Sequence, residues 1–70
     1  MTIIELIRGM IKDGNEINDI NGSDYFAHIS DDTVYFAQRD DEGLFRSVSI
    51  FNHEAKVTEL PATLQAVLGI

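Results

Sequence analysis

The feature that most constrains the fold is a two-residue period in hydropathy between residues 24 and 51. Apolar and polar side chains alternate there, which is the pattern of β-strands with one covered face. Turn-forming residues interrupt the pattern twice, at 31–32 and at 40–43. The pattern predicts strands near 24–30, 33–39 and 44–51. A fourth, short strand is expected at 55–59.

Helical patterns flank this stretch on both sides. Over residues 2–13, Thr2 and Glu5 have the spacing of a capping box, and the apolar side chains share one arc of the helix. Gly14 is expected to close this helix in the left-handed conformation. Near the other end, Pro61 suits the first position of a short helix that must dock on the rest of the chain.

Together these elements predict an α+β fold that forms a single small domain over residues 1–70. An N-terminal helix, an antiparallel meander of three or four strands and a short C-terminal helix follow one another, with both helices packed on one face of the sheet. Residues 15–22 fit either a short edge strand or an ordered loop. A chain of this length without cysteine has a thin stability margin, and association with another subunit is one way to support it.

Turn geometry predicts which side chains share a face. A two-residue tip at 31–32 sets the first register, and a bulged turn with left-handed Gly43 matches apolar residues across the second turn better than a plain four-residue loop. The predicted pairs are Ile29–Val34, Ala27–Phe36, Val34–Ile50 and Phe36–Val48. The predicted core face consists of Tyr25, Ala27, Ile29, Val34, Phe36, Val48 and Ile50.

The predicted reverse face carries aromatic side chains among small residues, where an ordinary solvent face would carry mainly charged groups. Its members are Phe26, His28, Tyr35, Ala37, Phe45, Ser47, Ser49 and Phe51. The pattern fits either coverage by the C-terminal helix or the 15–22 segment, or an interaction surface. In the second case a partner or a second copy of the chain is expected to contact Phe26, His28, Tyr35, Phe45 and Phe51.

The acidity of the chain belongs to one region. Residues 13–42 hold nine acids and one base, a net charge of −8, whereas the other forty residues carry a net charge of +1. Such a field repels nucleic acids and membrane surfaces and attracts basic partners, although it also fits a face that only interacts with solvent. The residues expected to contact a basic partner are Asp19, Asp24, Asp31, Asp32, Asp40, Asp41 and Glu42.

No arrangement of reactive side chains is visible in the sequence. The serines lack a glycine elbow, and His28 and His53 match no spacing of metal ligands. The aspartate pairs sit at predicted turns, where their local hydrogen bonding explains them better than acid–base chemistry or cation binding. The sequence therefore predicts no catalytic site, no cofactor and no metal.

Two functions remain in view. The first is a small acidic protein-binding module without catalysis, in its sharpest form an inhibitor of phage or mobile-element type that imitates nucleic acid and occupies a basic, nucleic-acid-binding protein. The alternative is a self-associating structural module, a homodimer formed through the aromatic face. A cytoplasmic location is expected, because the chain shows neither a signal peptide nor an apolar run of about 20 residues.

Overall fold

The computed structural model describes all residues from 1 to 70. It confirms the α+β architecture, with two helices and a four-stranded antiparallel sheet. In chain order the elements are α1 (Ile3–Met10), β1 (Glu16–Ile17), β2 (Tyr25–Ser30), β3 (Thr33–Arg39), β4 (Phe45–Phe51) and α2 (Ala62–Leu68). Short 3₁₀ turns lie at Ile20–Gly22 and Val57–Glu59.

The strands lie side by side in the order β1-β2-β3-β4, so that β1 and β4 are the two edges. The fourth strand is therefore β1, within the segment left open between strand and loop. The strand predicted at 55–59 is wrong. The chain there turns toward the start of α1, where Ile3 N–H donates to Ala55 C=O at 2.9 Å. Thr2 and Lys56 form an isolated antiparallel β-bridge.

The capping box at the start of α1 is confirmed. Glu5 N–H donates to Thr2 Oγ1 at 3.2 Å, and Thr2 N–H donates to Glu5 Oε1 at 3.0 Å. The helix ends at Met10, earlier than predicted, because Ile11 is already extended with ψ of 127°. Gly14 does adopt a left-handed conformation, with φ of 71°, but it turns the chain toward β1 and does not cap the helix.

Both helices pack on the same face of the sheet, here called the inner face, as predicted. The buried core lies entirely on this side and consists of Ile3, Ile4, Ile7, Ile20, Ala27, Ile29, Val34, Phe36, Leu60, Leu64 and Leu68. At the end of α2, Gly69 is left-handed with φ of 76°, and Ile70 N–H donates to Gln65 C=O at 3.0 Å, which closes the helix in a Schellman arrangement. Leu64 and Leu68 hold this short helix against the core.

Both hairpin turns have the predicted form. Asp31 and Asp32 have φ of 50° and 58°, the signs that a type I′ turn requires at both central positions. In the second hairpin Gly43 has φ of 82°, and Asp40 N–H donates to Leu44 C=O at 2.8 Å, which makes a three-residue bulged turn.

The predicted register between β3 and β4 is nevertheless wrong by one residue beyond the middle of β4. Ser47 is left-handed, with φ of 56°, and forms a second bulge in the middle of β4, where the pairing with β3 slips between Phe36 and Gln38. Phe36 therefore pairs with Ser49 and not with Val48. Because side chains alternate along a strand, one extra residue exchanges the two faces for everything after it.

Four predicted positions change sides as a result. Val48 and Ile50, predicted in the core, are exposed on the reverse side of the sheet, here called the outer face. Ser49 and Phe51, predicted on the reverse side, lie on the inner face, where the Phe51 ring meets Phe36 edge-on at 5.8 Å between ring centroids. Phe51 is thus excluded from the expected aromatic contact surface.

Candidate protein-binding surface

The outer face of the sheet is not covered by any helix. Its aromatic and apolar members are Phe26, His28, Tyr35, Ala37, Phe45, Val48 and Ile50. The alternative that the C-terminal helix or the 15–22 segment covers it does not hold, because Leu64, Leu68 and Ile20 all belong to the core on the inner side. The face that the sequence marked as unusual is open.

Aromatic rings form a continuous row across this face. Phe26 on β2 and Phe45 on β4 approach to 4.9 Å between ring centroids, although β3 lies between their strands. They meet because the residue of β3 opposite Phe26 is Ala37, whose methyl group leaves room for both rings and is itself 7% exposed beneath them. His28 stacks on Phe26 at 6.3 Å and lies at 6.3 Å from Tyr35, which extends the row.

The β4 side of the outer face is the most exposed part. Phe45, Val48 and Ile50 expose 47%, 60% and 61% of their surface, and Leu44 in the turn before β4 exposes 54%. The bulge at Ser47 is the direct cause for Val48 and Ile50, since the regular register would have turned them to the core. Contiguous apolar side chains with a polar surround are the usual mark of a protein interface.

The predicted acidic residues form two separate groups. At the end of the sheet where β3 leads into β4, five acids gather, here called the acidic end: Asp19, Asp24, Asp40, Asp41 and Glu42. Asp24 C=O accepts from Arg39 N–H at 2.8 Å, which links the segment before β2 to the end of β3. Asp31 and Asp32 lie at the opposite end of β3, roughly 20 Å away for a strand of this length, where Arg8 approaches Asp32 at 3.5 Å.

Asp40 has a structural role in its turn. Its carboxylate accepts from the N–H groups of Glu42 and Leu44, both at 2.9 Å, and from Arg46 Nε. The hydrogen bond from Leu44 N–H, followed by that from Arg46, holds the pKa of Asp40 below its ordinary value. A carboxylate with these three partners is committed to the turn and has little capacity left for a binding partner.

Pairing within the chain leaves three acids free at this end. Asp19 lies 3.9 Å from Arg39, whereas Asp24, Asp41 and Glu42 are exposed and form no ion pair. A polar groove of about 310 Å³ opens between the acidic end and β4. Its lining residues are Asp24, Gln38, Arg39, Asp40, Asp41, Arg46 and Ser47. Arg39 also lies over the Phe45 ring at 5.2 Å, so the groove adjoins the aromatic row directly.

The two edges of the sheet differ in length. The edge strand β1 has two residues, while β4 has seven. None of the backbone hydrogen bonds outside the regular helices and strands reaches residues 45–51, so the side of β4 away from β3 keeps unpaired N–H and C=O groups. This open edge runs along the most exposed apolar side chains of the outer face.

Sequence reasoning found the aromatic row but missed Val48 and Ile50. Bulges are often marked by glycine, and residues 45–51 contain neither glycine nor proline. No local signal in the sequence pointed to Ser47, which lies between Arg46 and Val48.

Comparison of the chain with models of protein families, with curated proteins and with solved structures found no match in any of the three. Neither helix has the length and hydropathy needed to cross a membrane.

Proposed function

We propose that this protein is a protein-binding module without catalysis, which docks a partner on the outer face of its sheet. The observation that supports this most directly is the uncovered outer face, where Phe45, Val48 and Ile50 expose about half or more of their surface. A small domain needs its apolar area for the core, so leaving these side chains in water forgoes stability at about 25 cal/mol per Å².

The surface has the arrangement of a protein interface. Aromatic side chains lie at its centre, and Arg39 and the acidic end form a charged rim on one side. Interfaces are enriched in aromatic residues and arginine at the centre and are polar at the rim. Rigid rings of this kind contribute contact area with little loss of conformational entropy on binding.

The rim charge favours a basic partner. Asp24, Asp41 and Glu42 are free of ion pairs, and the chain as a whole carries a net charge of −7. Such a field accelerates encounters with basic surfaces and disfavours acidic ones. In the narrower form of the proposal the basic surface is that of a nucleic-acid-binding protein, and the module acts as an inhibitor that imitates nucleic acid.

Selection from a random displayed-peptide library tests the proposal and does not require the partner to be identified first. Selected peptides should carry net positive charge and apolar residues, and their affinity should fall as salt is added. Binding should drop about tenfold or more with the double variant Val48→Ser, Ile50→Ser, because it removes the apolar centre of the contact. Peptides without a basic bias, or peptides that bind this variant equally well, would contradict the proposal.

Charge placement has a matched control within the chain. The pair Asp24→Asn, Asp41→Asn and the pair Asp31→Asn, Asp32→Asn change the net charge equally, but only the first pair lines the polar groove next to Arg39 and Phe45. We expect the first pair to weaken peptide binding and to reduce its salt dependence, while the second leaves both nearly unchanged. Equal effects of the two pairs would show that only the total charge matters.

Self-association through the same face is the second candidate. It is favoured by the exposure of Val48 and Ile50, which makes this face more apolar than the sequence predicted. Light scattering at high micromolar concentration should then show a dimer, which Tyr35→Glu dissociates. A monomer at all concentrations, unchanged by Tyr35→Glu, would remove this candidate.

A further inference from the structure

We infer that the partner contributes an extended segment with basic side chains, which adds to the sheet as a fifth strand along the open edge of β4. This inference deepens the proposed function and rests on it. It concerns the backbone of β4 in addition to the side chains of the outer face.

The unpaired edge supplies the first reason. In an antiparallel ladder, hydrogen-bonded and non-hydrogen-bonded pairs alternate. Asp40 N–H donates to Leu44 C=O, so the next pair, Arg39 and Phe45, is a non-hydrogen-bonded pair. The N–H and C=O of Phe45 therefore point away from β3, toward the open side, where an added strand would pair with them.

The side chains of β4 supply the second reason. Val48 and Ile50 expose their side chains on the outer face, directly at the edge of the sheet. Every second side chain of an added strand would lie on that same face and extend the aromatic row with further apolar contacts. A segment with alternating apolar residues thus gains backbone and side-chain contacts together.

Charge selects the sign of the segment. The free acids Asp41 and Glu42 precede β4 in the turn, and the one charge on the strand, Arg46, is already paired with Asp40. An added strand would therefore lie close to the unpaired carboxylates of Asp41 and Glu42 at one end. It would meet no unpaired positive charge on β4. Lysine or arginine in the segment complements this arrangement.

A second copy of the chain fits this edge less well. Each copy has a net charge of −7, so that pairing two copies brings like charges together. Twofold pairing along all of β4 would also set the two Ser47 bulges side by side near the centre of the interface, and bulges are a feature that keeps edge strands from pairing with one another. A flexible segment can adjust its backbone to a single bulge.

Amide exchange measured by NMR on ¹⁵N-labelled protein tests the inference. The probe is a decapeptide in which lysine and valine alternate, so that an added strand would place all its valines on the outer face. We expect saturating peptide to slow exchange of the Phe45 amide about tenfold or more, because the amide gains a hydrogen bond. The matched peptides are one with glutamate in place of lysine and one with its lysines and valines in two blocks, and both should bind more weakly.

Two substitutions at one position separate backbone from side chain. Phe45→Ala and Phe45→Pro both remove the ring, but only proline also removes the outward N–H. An edge strand tolerates proline where the N–H points away from the sheet. We expect Phe45→Pro to weaken decapeptide binding about tenfold beyond Phe45→Ala. The amide spectrum of each variant shows whether the sheet is retained, and the exchange measurement on the unmodified protein tests the inference even if proline disrupts β4.

The outcomes that would overturn the inference are distinct from those that would overturn the proposed function. Peptide binding that Phe45→Ala and Phe45→Pro weaken equally, with no protection of the Phe45 amide, would mean docking on the outer face without strand addition. Protection that grows with protein concentration in the absence of peptide would assign the edge to a second copy. A decapeptide that binds no better than its glutamate counterpart would overturn both proposals.

Discussion

The inner and outer faces of the sheet are built from similar side chains but differ in what covers them. The inner face presents Ala27, Ile29, Val34 and Phe36, all buried beneath the two helices. The outer face presents aromatic residues together with Val48 and Ile50, and no helix lies on it. A count of apolar residues on each face would therefore not show which one is the core.

Chain connectivity accounts for the difference. One helix precedes the sheet and the other follows it, and both return to the same side, where their apolar residues form one cluster with Ile20. None of the elements within residues 1–70 lies on the second face. Val48 and Ile50 on that face bury little of their surface within the chain, which is why we propose that the face binds a partner.

The largest expected effect comes from truncating the centre of the inner face. Phe36→Ala should lower the free energy of unfolding by about 3–5 kcal/mol, since it leaves a cavity under both helices. The free energy of unfolding of a domain of this size is roughly 4–10 kcal/mol, so the variant would lose most of its stability. Urea denaturation measures this. Ile50→Ala on the outer face is the control and should change the value by no more than about 0.5 kcal/mol. Equal losses would break the distinction between the faces.

The bulge that assigns residues to the two faces can be tested by the sign of an effect. Ser47→Val should lower the free energy of unfolding by about 1–2 kcal/mol, because a β-branched residue is strained in the left-handed conformation. In a regular strand the same substitution would be neutral or stabilising. Ser49→Val, two residues further along in the paired part of β4, is the matched control and should not destabilise. A stabilising Ser47→Val would mean that the bulge is absent.

The two hairpin turns, at opposite ends of the sheet, can each be tested by substitution. Asn-Gly suits a type I′ turn better than Asp-Asp, so the double variant Asp31→Asn, Asp32→Gly should raise the free energy of unfolding by about 0.5–1 kcal/mol. In the other turn, Gly43→Ala should lower it by about 1 kcal/mol, because φ of 82° disfavours any side chain even though space is available. Thermal melts compare the two. A destabilised Asn-Gly variant would contradict the type I′ assignment.

The smallest effect expected is a dependence of stability on acid pH. Asp40 and Glu5 both have pKa values below their ordinary 3.8 and 4.5, Asp40 because of the Leu44 N–H and Glu5 because of the Thr2 N–H. A lowered pKa in the folded state means that the contribution is complete above the ordinary value and is lost as pH falls through the lowered one. The melting temperature should therefore fall as the solution is acidified below about pH 4.5. Asp40→Asn, which keeps the acceptor oxygen but not the charge, should make this fall less steep, and an unchanged slope would contradict the assignment.

Much of the architecture could be predicted because its signals are local. The alternation between residues 24 and 51, the spacing of Thr2 and Glu5 and the glycine at position 43 each act on a few neighbouring residues, and the corresponding elements are present. The candidate surface was predicted only in part. Phe26, Tyr35 and Phe45 lie on the outer face as expected, whereas Phe51 does not, and the seven acids divide between the two ends of the sheet.

The sequence by itself determined that this chain forms an α+β fold with two tight hairpins and a face rich in aromatic residues. Only the tertiary structure decided that Ser47 adopts a left-handed backbone, and with it whether Val48 and Ile50 are buried or exposed. The reason is that the register of β4 depends on how β4 fits β3 and the helices as a whole. Hydrophobic matching within the hairpin favours one pairing, while the closed core of the folded domain accepts Ser49 and Phe51 in place of Val48 and Ile50.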